Sequence, residues 1–197
     1  VLATGNVGKI EEIAAIFGDL NLEIVPQSDF GLESAEETGE TFLENALLKA
    51  LYAANQSGLP AIADDSGIAV DVLGGRPGVW SARYAGQHAT DGENLNLLLR
   101  NLRSVPDDKR VGGFHCAAVF VRSGDDKEPV VAQAVWRGTI LRERRGTRGF
   151  GYDPVFFDPT IMKTGAEMSR EEKNSVSHRG KAFRKLCALM QEAIVWI

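Results

Sequence analysis

The chain has 197 residues and a mass of 21.4 kDa, the length of a single domain of ordinary size. Hydrophobic residues make up 44% and charged residues 25%, proportions that exclude wholesale disorder. The net charge of -5 argues against a protein that coats nucleic acid. No apolar run approaches the roughly 20 residues that cross a bilayer, so we expect neither nucleic acid nor a membrane as partner.

The two cysteines, Cys116 and Cys187, lie in an apolar strand-like run and on an apolar helical face. This placement predicts two buried, unpaired thiols, which are typical of a reducing compartment. The chain opens without a signal-peptide pattern. We therefore expect the protein in the cytoplasm.

Apolar periodicity and end signals predict five elements in the first third of the chain. Strands are expected at 1–3, 22–25 and 61–63, and helices at 9–17 and 41–57. The first helix is expected to end at Gly18, because glycine is a common helix terminator. The third strand is expected to end where Asp64-Asp65-Ser66-Gly67 begins.

The rest of the chain continues this alternation and adds a hairpin. Strands are expected at 114–122, 129–136 and 155–157, and helices after the capping residues Thr90, Ser169 and Ser177. The turn at 123–126 joins the first two of these strands. Alternating strands and helices with one hairpin predict an α/β fold with a mixed sheet, in a single domain over residues 1–197.

The first segment suited to chemistry is the strand–loop–helix junction of Thr4, Gly5, Asn6, Val7, Gly8 and Lys9. A small turn before a helix exposes backbone N–H groups to an anion, and a lysine one turn in can reach a phosphate. The spacing matches neither a Walker A loop nor the dinucleotide fingerprint. An ordinary turn with a solvated lysine is the alternative.

Asp64 and Asp65 form the second segment, followed by Ser66 and Gly67. Ligands usually bind at strand ends in α/β sheets, and a carboxylate near phosphates suits Mg²⁺. Adjacent carboxylates cannot point the same way if the strand continues. An aspartate-rich turn bonded to its own backbone is the alternative.

The third segment combines Glu37 with the helical positions Thr41, Asn45 and Lys49. These three positions recur every fourth residue and form one polar stripe. A lysine on such a stripe can meet phosphate oxygens if the stripe faces a cleft. A solvated helix surface is the alternative.

Two further segments lie in the last quarter of the chain. Phe150 lies between Gly149 and Gly151, which leaves its ring free to stack on a base or to plug the core. His178 and Arg179 follow the cap Ser177 in a first helical turn, where cations oppose the helix dipole unless a ligand is present. A Ser-His-Asp triad is disfavoured because the chain has no Gly-x-Ser-x-Gly elbow.

In this order and spacing, the segments resemble the Ham1/RdgB family of inosine triphosphate pyrophosphatases. The resemblance extends over essentially the whole chain. Its carriers are Thr4-Gly5-Asn6-Val7-Gly8-Lys9, Glu37-Thr38-Gly39 with Thr41-Phe42 and Glu44-Asn45-Ala46, Ala63-Asp64-Asp65-Ser66-Gly67, Pro77-Gly78 with Ser81-Ala82-Arg83-Tyr84-Ala85-Gly86, Gly149-Phe150-Gly151-Tyr152-Asp153-Pro154, and Ser177-His178-Arg179. Trp80 stands where a smaller aromatic residue is expected.

The resemblance implies an enzyme that uses Mg²⁺ to hydrolyse non-standard purine nucleoside triphosphates (ITP, dITP and XTP) to the monophosphate and pyrophosphate. Such an enzyme removes deaminated purines from the nucleotide pool. The implied fold is an elongated mixed α/β structure with two lobes around a central nucleotide-binding cleft. The implied assembly is a homodimer.

The same resemblance implies a role for each matching residue. Asp65 is the implied catalytic carboxylate and, with Glu37, the implied metal ligand. The implied phosphate-binding loop is Thr4 to Lys9, and Lys49 and Ser66 are implied substrate contacts. The implied base contacts are Phe150, Gly151, Tyr152, Asp153, Lys173, His178 and Arg179. A Maf-like pyrophosphatase with another base preference and a non-catalytic nucleotide-binding protein are the alternatives.

Overall fold

We describe the fold from a computed structural model that covers residues 1–18 and 23–194. Five α-helices form where the sequence combines an apolar stripe with an end signal. They are α1 (Val7–Phe17), α2 (Phe42–Ser57), α3 (Asp91–Asn101), α4 (Arg170–Val176) and α5 (His178–Ile194). Capping boxes begin α2, α3 and α4 at Thr41, Thr90 and Ser169, and those at Thr90 and Ser169 are predicted by the sequence.

Five strands form one sheet in the order in which they occur along the chain. They are β1 (Ala61–Val70), β2 (Val111–Val121), β3 (Val130–Ile140), β4 (Phe156–Asp158) and β5 (Lys163–Thr164). The pairs β3–β4 and β4–β5 are antiparallel. Leu2 adds isolated parallel bridges to Pro26 and Ile62. The predicted α/β fold with helices beside a sheet is confirmed.

The chain divides into two compact units, and β1, β2 and β3 each contribute residues to both. The first unit comprises Val1–Asp65, Cys116–Ala134 and His178–Ile197. Its sheet segments alternate between two apolar faces, as strands do. Ile62, Cys116, Ala118 and Phe120 pack with α1 and α5, whereas Ala63, Ala117, Val119 and Val121 pack with the alanine stripe of α2.

The second unit comprises Ser66–His115 and Val135–Ser177 and has a core of its own. That core joins the leucines of α3 to aromatic residues of the sheet. Trp136 and Phe156 meet edge to face at 4.6 Å between ring centroids. Gly67 is required here, because a Cβ at this position would lie 2.6 Å from the carbonyl oxygen of Gly78.

Several predicted boundaries are wrong. The strand predicted at 61–63 continues to Val70, so Asp64 and Asp65 lie inside β1 and not at its end. Helix α1 begins at Val7, two residues before the predicted start, because the Asn6 side chain caps it. Of the strand predicted at 22–25, residue 22 lies outside the described residues, and 23–25 are not a strand.

Both cysteines are free and buried, as the sequence predicts. Burial raises the pKa of the Cys116 thiol, which makes it a poor nucleophile. Within the described residues, no helix has the length and apolar character needed to cross a membrane.

Candidate active site

The segment from Thr4 to Lys9, a candidate phosphate site in the sequence, leads into the N-terminus of α1. The Asn6 side chain accepts a hydrogen bond of 3.0 Å from the Lys9 backbone N–H, and the Thr4 hydroxyl accepts one of 3.2 Å from Asn6 N–H. The N–H groups of Val7 and Gly8 lie earlier in the first turn, where helices have no internal acceptors. Gly5 and Asn6 are exposed. The junction therefore has the polarity and access that an anion requires.

Strand β1 directs its two aspartates to opposite faces of the sheet. Asp64 lies on the face covered by α1 and α5, and Asp65 lies on the face covered by α2. This follows from the strand period of two, since Ile62 and Ala63 already face those two layers. The carboxylates therefore have different partners and different chemistry.

Asp65 is held by two side chains of α2. Lys49 Nζ lies 2.9 Å from Asp65 Oδ1, and Asn45 Nδ2 donates to Asp65 Oδ2 at 3.4 Å. Lys49 Nζ also lies 2.8 Å from Glu37 Oε1, so one ammonium group links the two carboxylates. Lys49 and Asn45 are buried, so at these positions the polar stripe of α2 faces inward and not towards solvent.

Burial and neighbouring charges shift the pKa values of Asp65 and Lys49. Burial raises the pKa of the Asp65 carboxyl, and Lys49 and Lys9 offset only part of that rise. Burial lowers the pKa of Lys49, but Asp65, Asp64 and Glu37 outweigh it, so its pKa is raised. A carboxyl whose pKa is shifted by burial and by a specific charged partner marks a candidate functional site.

The loop that precedes α2 requires glycine at position 39. Gly39 N–H donates to Asn45 Oδ1 at 2.8 Å, and a Cβ at position 39 would lie 2.6 Å from the Glu44 Cβ. Only glycine allows this close approach. Asn45 therefore connects the loop that carries Glu37 to the carboxylate of Asp65.

On the other face of β1, Asp64 is completely buried among cations. Its Oδ2 lies 3.1 Å from Lys9 Nζ and 3.5 Å from Arg179 Nε. Arg179 Nη1 also donates to Glu12 of α1. Burial by itself raises the pKa of Asp64, but Lys9, Arg179 and Lys49 outweigh it, so the carboxyl is ionised with a pKa well below its usual range.

Arg179, which the resemblance implies as a base contact, is paired with carboxylates. Its side chain is 3% exposed, and its contacts include Glu12 and Asp64. Glu12 is not among the candidate residues of the sequence analysis. Its signal is the spacing from Lys9, because residues three apart share a helix face. His178, the first residue of α5, is also buried.

In the second unit, Asp153 organises the glycine-flanked loop. Its Oδ2 accepts hydrogen bonds from the Phe150 backbone N–H at 2.9 Å and from Lys173 Nζ at 2.6 Å. Lys173 Nζ also lies 4.8 Å from the centre of the Phe150 ring, a cation–π contact. Gly149 has a φ of +71°, and a Cβ there would lie 2.1 Å from Asp153 Oδ2, so the position requires glycine.

The structure therefore groups the Phe150, Asp153 and Lys173 side chains, as the sequence predicts, but it places Tyr152 differently. Tyr152 is 4% exposed and its hydroxyl donates to the Ser81 carbonyl oxygen at 2.8 Å. Its side chain belongs to the core of the second unit. Gly151 N–H donates to Asp91 at 2.8 Å, and Ser66 is half-buried directly after Asp65.

Comparison with known proteins gives a consistent result. Residues 1–189 match the model of the Ham1 family. The chain is 57% identical over 186 residues to a dITP/XTP pyrophosphatase of Salmonella paratyphi A and 58% identical to that of Escherichia coli K12, with 94% of each chain covered. A HAM1 protein from Coxiella burnetii has the same fold, with a TM-score of 0.90, 44% identity and 97% of both chains covered.

A Ham1 protein from Staphylococcus aureus matches with a TM-score of 0.85 and 39% identity, over 98% of this chain and 97% of that one. Both the identity and the coverage are far beyond what a shared fold alone would give. The chain belongs to the Ham1 family.

Proposed function

We propose that this protein hydrolyses non-canonical purine nucleoside triphosphates, namely dITP, XTP and ITP, to the monophosphate and pyrophosphate. Two kinds of observation support this. The chain is 57–58% identical over nearly its whole length to proteins named dITP/XTP pyrophosphatases. Its first unit also holds a carboxylate with a raised pKa, Asp65, directly bound to the ammonium of Lys49. That pair is the single structural observation that carries the proposal.

The charge of the first unit suits a triphosphate arm, which carries close to four negative charges. Lys9 and the N-terminus of α1 lie together at one end of that helix, and Lys49 lies on α2 beside Asp65. Cations and helix N-termini both stabilise phosphate oxygens. In phosphoryl transfer such positioning and charge stabilisation supply most of the catalysis.

Asp65 and Glu37 fit a divalent cation, and we infer that the cation is Mg²⁺. Their oxygens lie 2.9 and 2.8 Å from the same nitrogen, so the two oxygens are close to each other. Mg²⁺ typically binds one or two protein carboxylates together with substrate phosphate oxygens. In residues 1–18 and 23–194 there is no group of three or more His, Cys, Asp or Glu side chains suited to a metal. When bound, Mg²⁺ would supply charge neutralisation of the phosphates.

In the proposed reaction a water molecule attacks the α-phosphorus and Asp65 accepts its proton. The new bond joins the water oxygen to the α-phosphorus, and the bond from the α-phosphorus to the bridging oxygen breaks. Pyrophosphate leaves with the electron pair of that bond. Asn45 and Lys49 fix the two oxygens of Asp65 and so position the carboxylate as the proton acceptor.

The second unit carries the base-binding residues of the proposal. Phe150 offers a ring face for stacking, and Lys173 provides a donor beside it. Hypoxanthine and xanthine present a 6-oxo acceptor, whereas adenine presents a 6-amino donor. A donor left unpaired against adenine costs about 1–3 kcal/mol. We assign Asp153 to holding these two groups and keep His178 and Arg179 as further candidates.

We also expect the protein to act as a homodimer in the cytoplasm, as the family resemblance and the free thiols suggest.

Steady-state turnover of dITP, XTP, ITP, GTP and ATP with Mg²⁺ tests the proposal, with pyrophosphate and orthophosphate measured separately. We expect pyrophosphate release from dITP, XTP and ITP and much slower turnover of GTP and ATP. Release of single phosphates would contradict the reaction. A preference for modified pyrimidine nucleotides would favour the Maf-like alternative, and binding without turnover would favour a nucleotide sensor.

A further inference from the structure

Asp64 is a buried charged residue for which the proposed reaction has no direct use. Its side chain has no exposed surface, and it lies on the face of β1 opposite to Asp65. Its carboxylate contacts two cations, Lys9 of α1 and Arg179 of α5. A buried charge is costly unless it is paired, so these contacts require an explanation beyond chance packing.

We propose that Asp64 is a positioning residue that holds the Lys9 ammonium ready for the phosphate arm of the substrate. The inference rests on the proposed function in one respect, that Lys9 meets phosphate. It goes beyond that function by assigning a role to the aspartate that neither accepts the proton nor binds the metal.

Lys9 is held at its backbone and at the tip of its side chain. Its backbone N–H donates to the Asn6 side chain at 3.0 Å, and its ammonium lies 3.1 Å from Asp64 Oδ2. A lysine has a flexible four-carbon stem, and ordering that stem at the moment of binding reduces affinity. Because Asp64 orders the stem in the folded protein, the ordering cost does not fall on substrate binding.

Arg179 and Glu12 in turn hold Asp64. Arg179 Nε lies 3.5 Å from the same Oδ2 that Lys9 contacts, and Arg179 Nη1 donates to Glu12. Glu12 lies three residues after Lys9 on α1. The four groups balance as two cations and two anions. An ammonium has three N–H donors, so Lys9 can contact a phosphate while it stays paired with Asp64.

A double-mutant cycle tests the inference, because it separates an effect through Lys9 from a general loss of stability. Asp64→Asn is made in the wild-type chain and in the Lys9→Met chain. For each protein we measure kcat and KM for ITP, the affinity for inorganic tripolyphosphate by calorimetry, and Tm. We expect Asp64→Asn to raise KM and weaken tripolyphosphate binding roughly tenfold, the usual effect of one charge-assisted contact. kcat should change less.

In the Lys9→Met chain the same substitution should have little further effect on KM or on tripolyphosphate binding. If the tenfold effect persists there, or if Asp64→Asn lowers Tm without changing either quantity, Asp64 is a structural residue and the inference is wrong. Asp64→Glu keeps the charge and displaces it, so it replaces Asp64→Asn in the cycle if the latter does not fold.

Asp71→Asn is the matched control, since Asp71 forms an exposed ion pair of 2.6 Å with Arg137 in the second unit. It should leave kcat, KM, the affinity for tripolyphosphate and Tm unchanged. The calorimetric readout also separates this inference from the proposed function. Failure to release pyrophosphate from ITP, dITP and XTP would overturn the proposed function, whereas the tripolyphosphate cycle would still report on Asp64.

Discussion

At the scale of single residues, Asp65 provides the sharpest test of the chemistry. Asp65→Asn keeps the shape of the side chain but removes the proton acceptor and one charge from the inferred metal site. We expect kcat to fall roughly 10²- to 10⁴-fold, the usual effect of losing a general base. Pyrophosphate release at saturating Mg²⁺ measures the loss, and circular dichroism shows that the fold is retained.

Asp108→Asn is a suitable control for that experiment, because it removes the charge of an exposed carboxylate far along the sequence in the second unit. A rate close to that of the wild type in Asp65→Asn would show that the base is misassigned. Glu37 and Asp64 would then be the next carboxylates to test.

Phe150 tests base recognition at the same scale. Phe150→Ala removes the ring that Lys173 contacts at 4.8 Å. We expect kcat/KM for ITP and XTP to fall by the equivalent of about 1–3 kcal/mol, the contribution of one stacked base. The affinity for inorganic tripolyphosphate should not change, because that probe has no base.

Phe30→Ala removes a partly exposed ring from the first unit and serves as the matched control. If Phe150→Ala unfolds the protein, the ring is a core plug and the stacking assignment is wrong. An equal loss for ITP and tripolyphosphate would also contradict it.

At the scale of an element, the β2–β3 hairpin is stabilised by its turn. The Asp126 carboxylate accepts hydrogen bonds from Arg122 Nη2 at 2.9 Å and from Arg122 N–H at 2.8 Å. A Cβ at Gly124 would lie 2.6 Å from the Asn55 Cβ, so this turn contacts α2 closely. The side-chain hydrogen bonds from Arg122 lower the pKa of Asp126 to about 2.

The lowered pKa predicts a pH dependence of stability with a definite sign. The ionised form of Asp126 is favoured by folding, so its stabilisation is present above the unfolded pKa of about 3.9 and is lost as the pH falls to about 2. We expect Asp126→Asn to lower the free energy of unfolding at pH 7, because it removes the charged partner of Arg122. The expected loss is only about 1 kcal/mol, because solvent screens this turn. Urea unfolding at pH 7, 4 and 2 measures the difference.

The difference between Asp126→Asn and the wild type should shrink towards zero between pH 4 and pH 2. A constant difference over that range would mean that packing, and not ionisation, stabilises the turn. Asp29→Asn, at an exposed position of the same unit, gives the background effect of removing one carboxylate.

At the scale of the whole molecule, the chain builds two compact units from interleaved segments. Three long strands contribute to both units, and each unit has a separate apolar core. The candidate phosphate and carboxylate groups lie in the first unit, and the Phe150 loop lies in the second. One domain with two lobes stays a prediction of the sequence.

Local signals in the sequence predict most of the helices. The capping boxes at Thr41, Thr90 and Ser169 and the alanine and leucine stripes identify α2, α3 and α4 to within a residue or two, because caps and periodicity act within a few residues. The strand alternation also requires Asp64 and Asp65 to face opposite ways. The sequence also predicts the loop around Phe150, because Gly149 and Gly151 can adopt the positive φ angles that the loop requires.

What each aspartate contacts was decided by tertiary structure. Nothing near Asp64 in the sequence indicates that Glu12 and Arg179, which are 167 residues apart, meet beside it, because that contact depends on the packing of α1 against α5. The length of β1 likewise depends on its neighbours, since Asp64 and Asp65 are poor strand formers whose charges are paired only in the folded protein. The sequence by itself determined which chemical groups are available; the packing of helices on both faces of the sheet decided which of them act together.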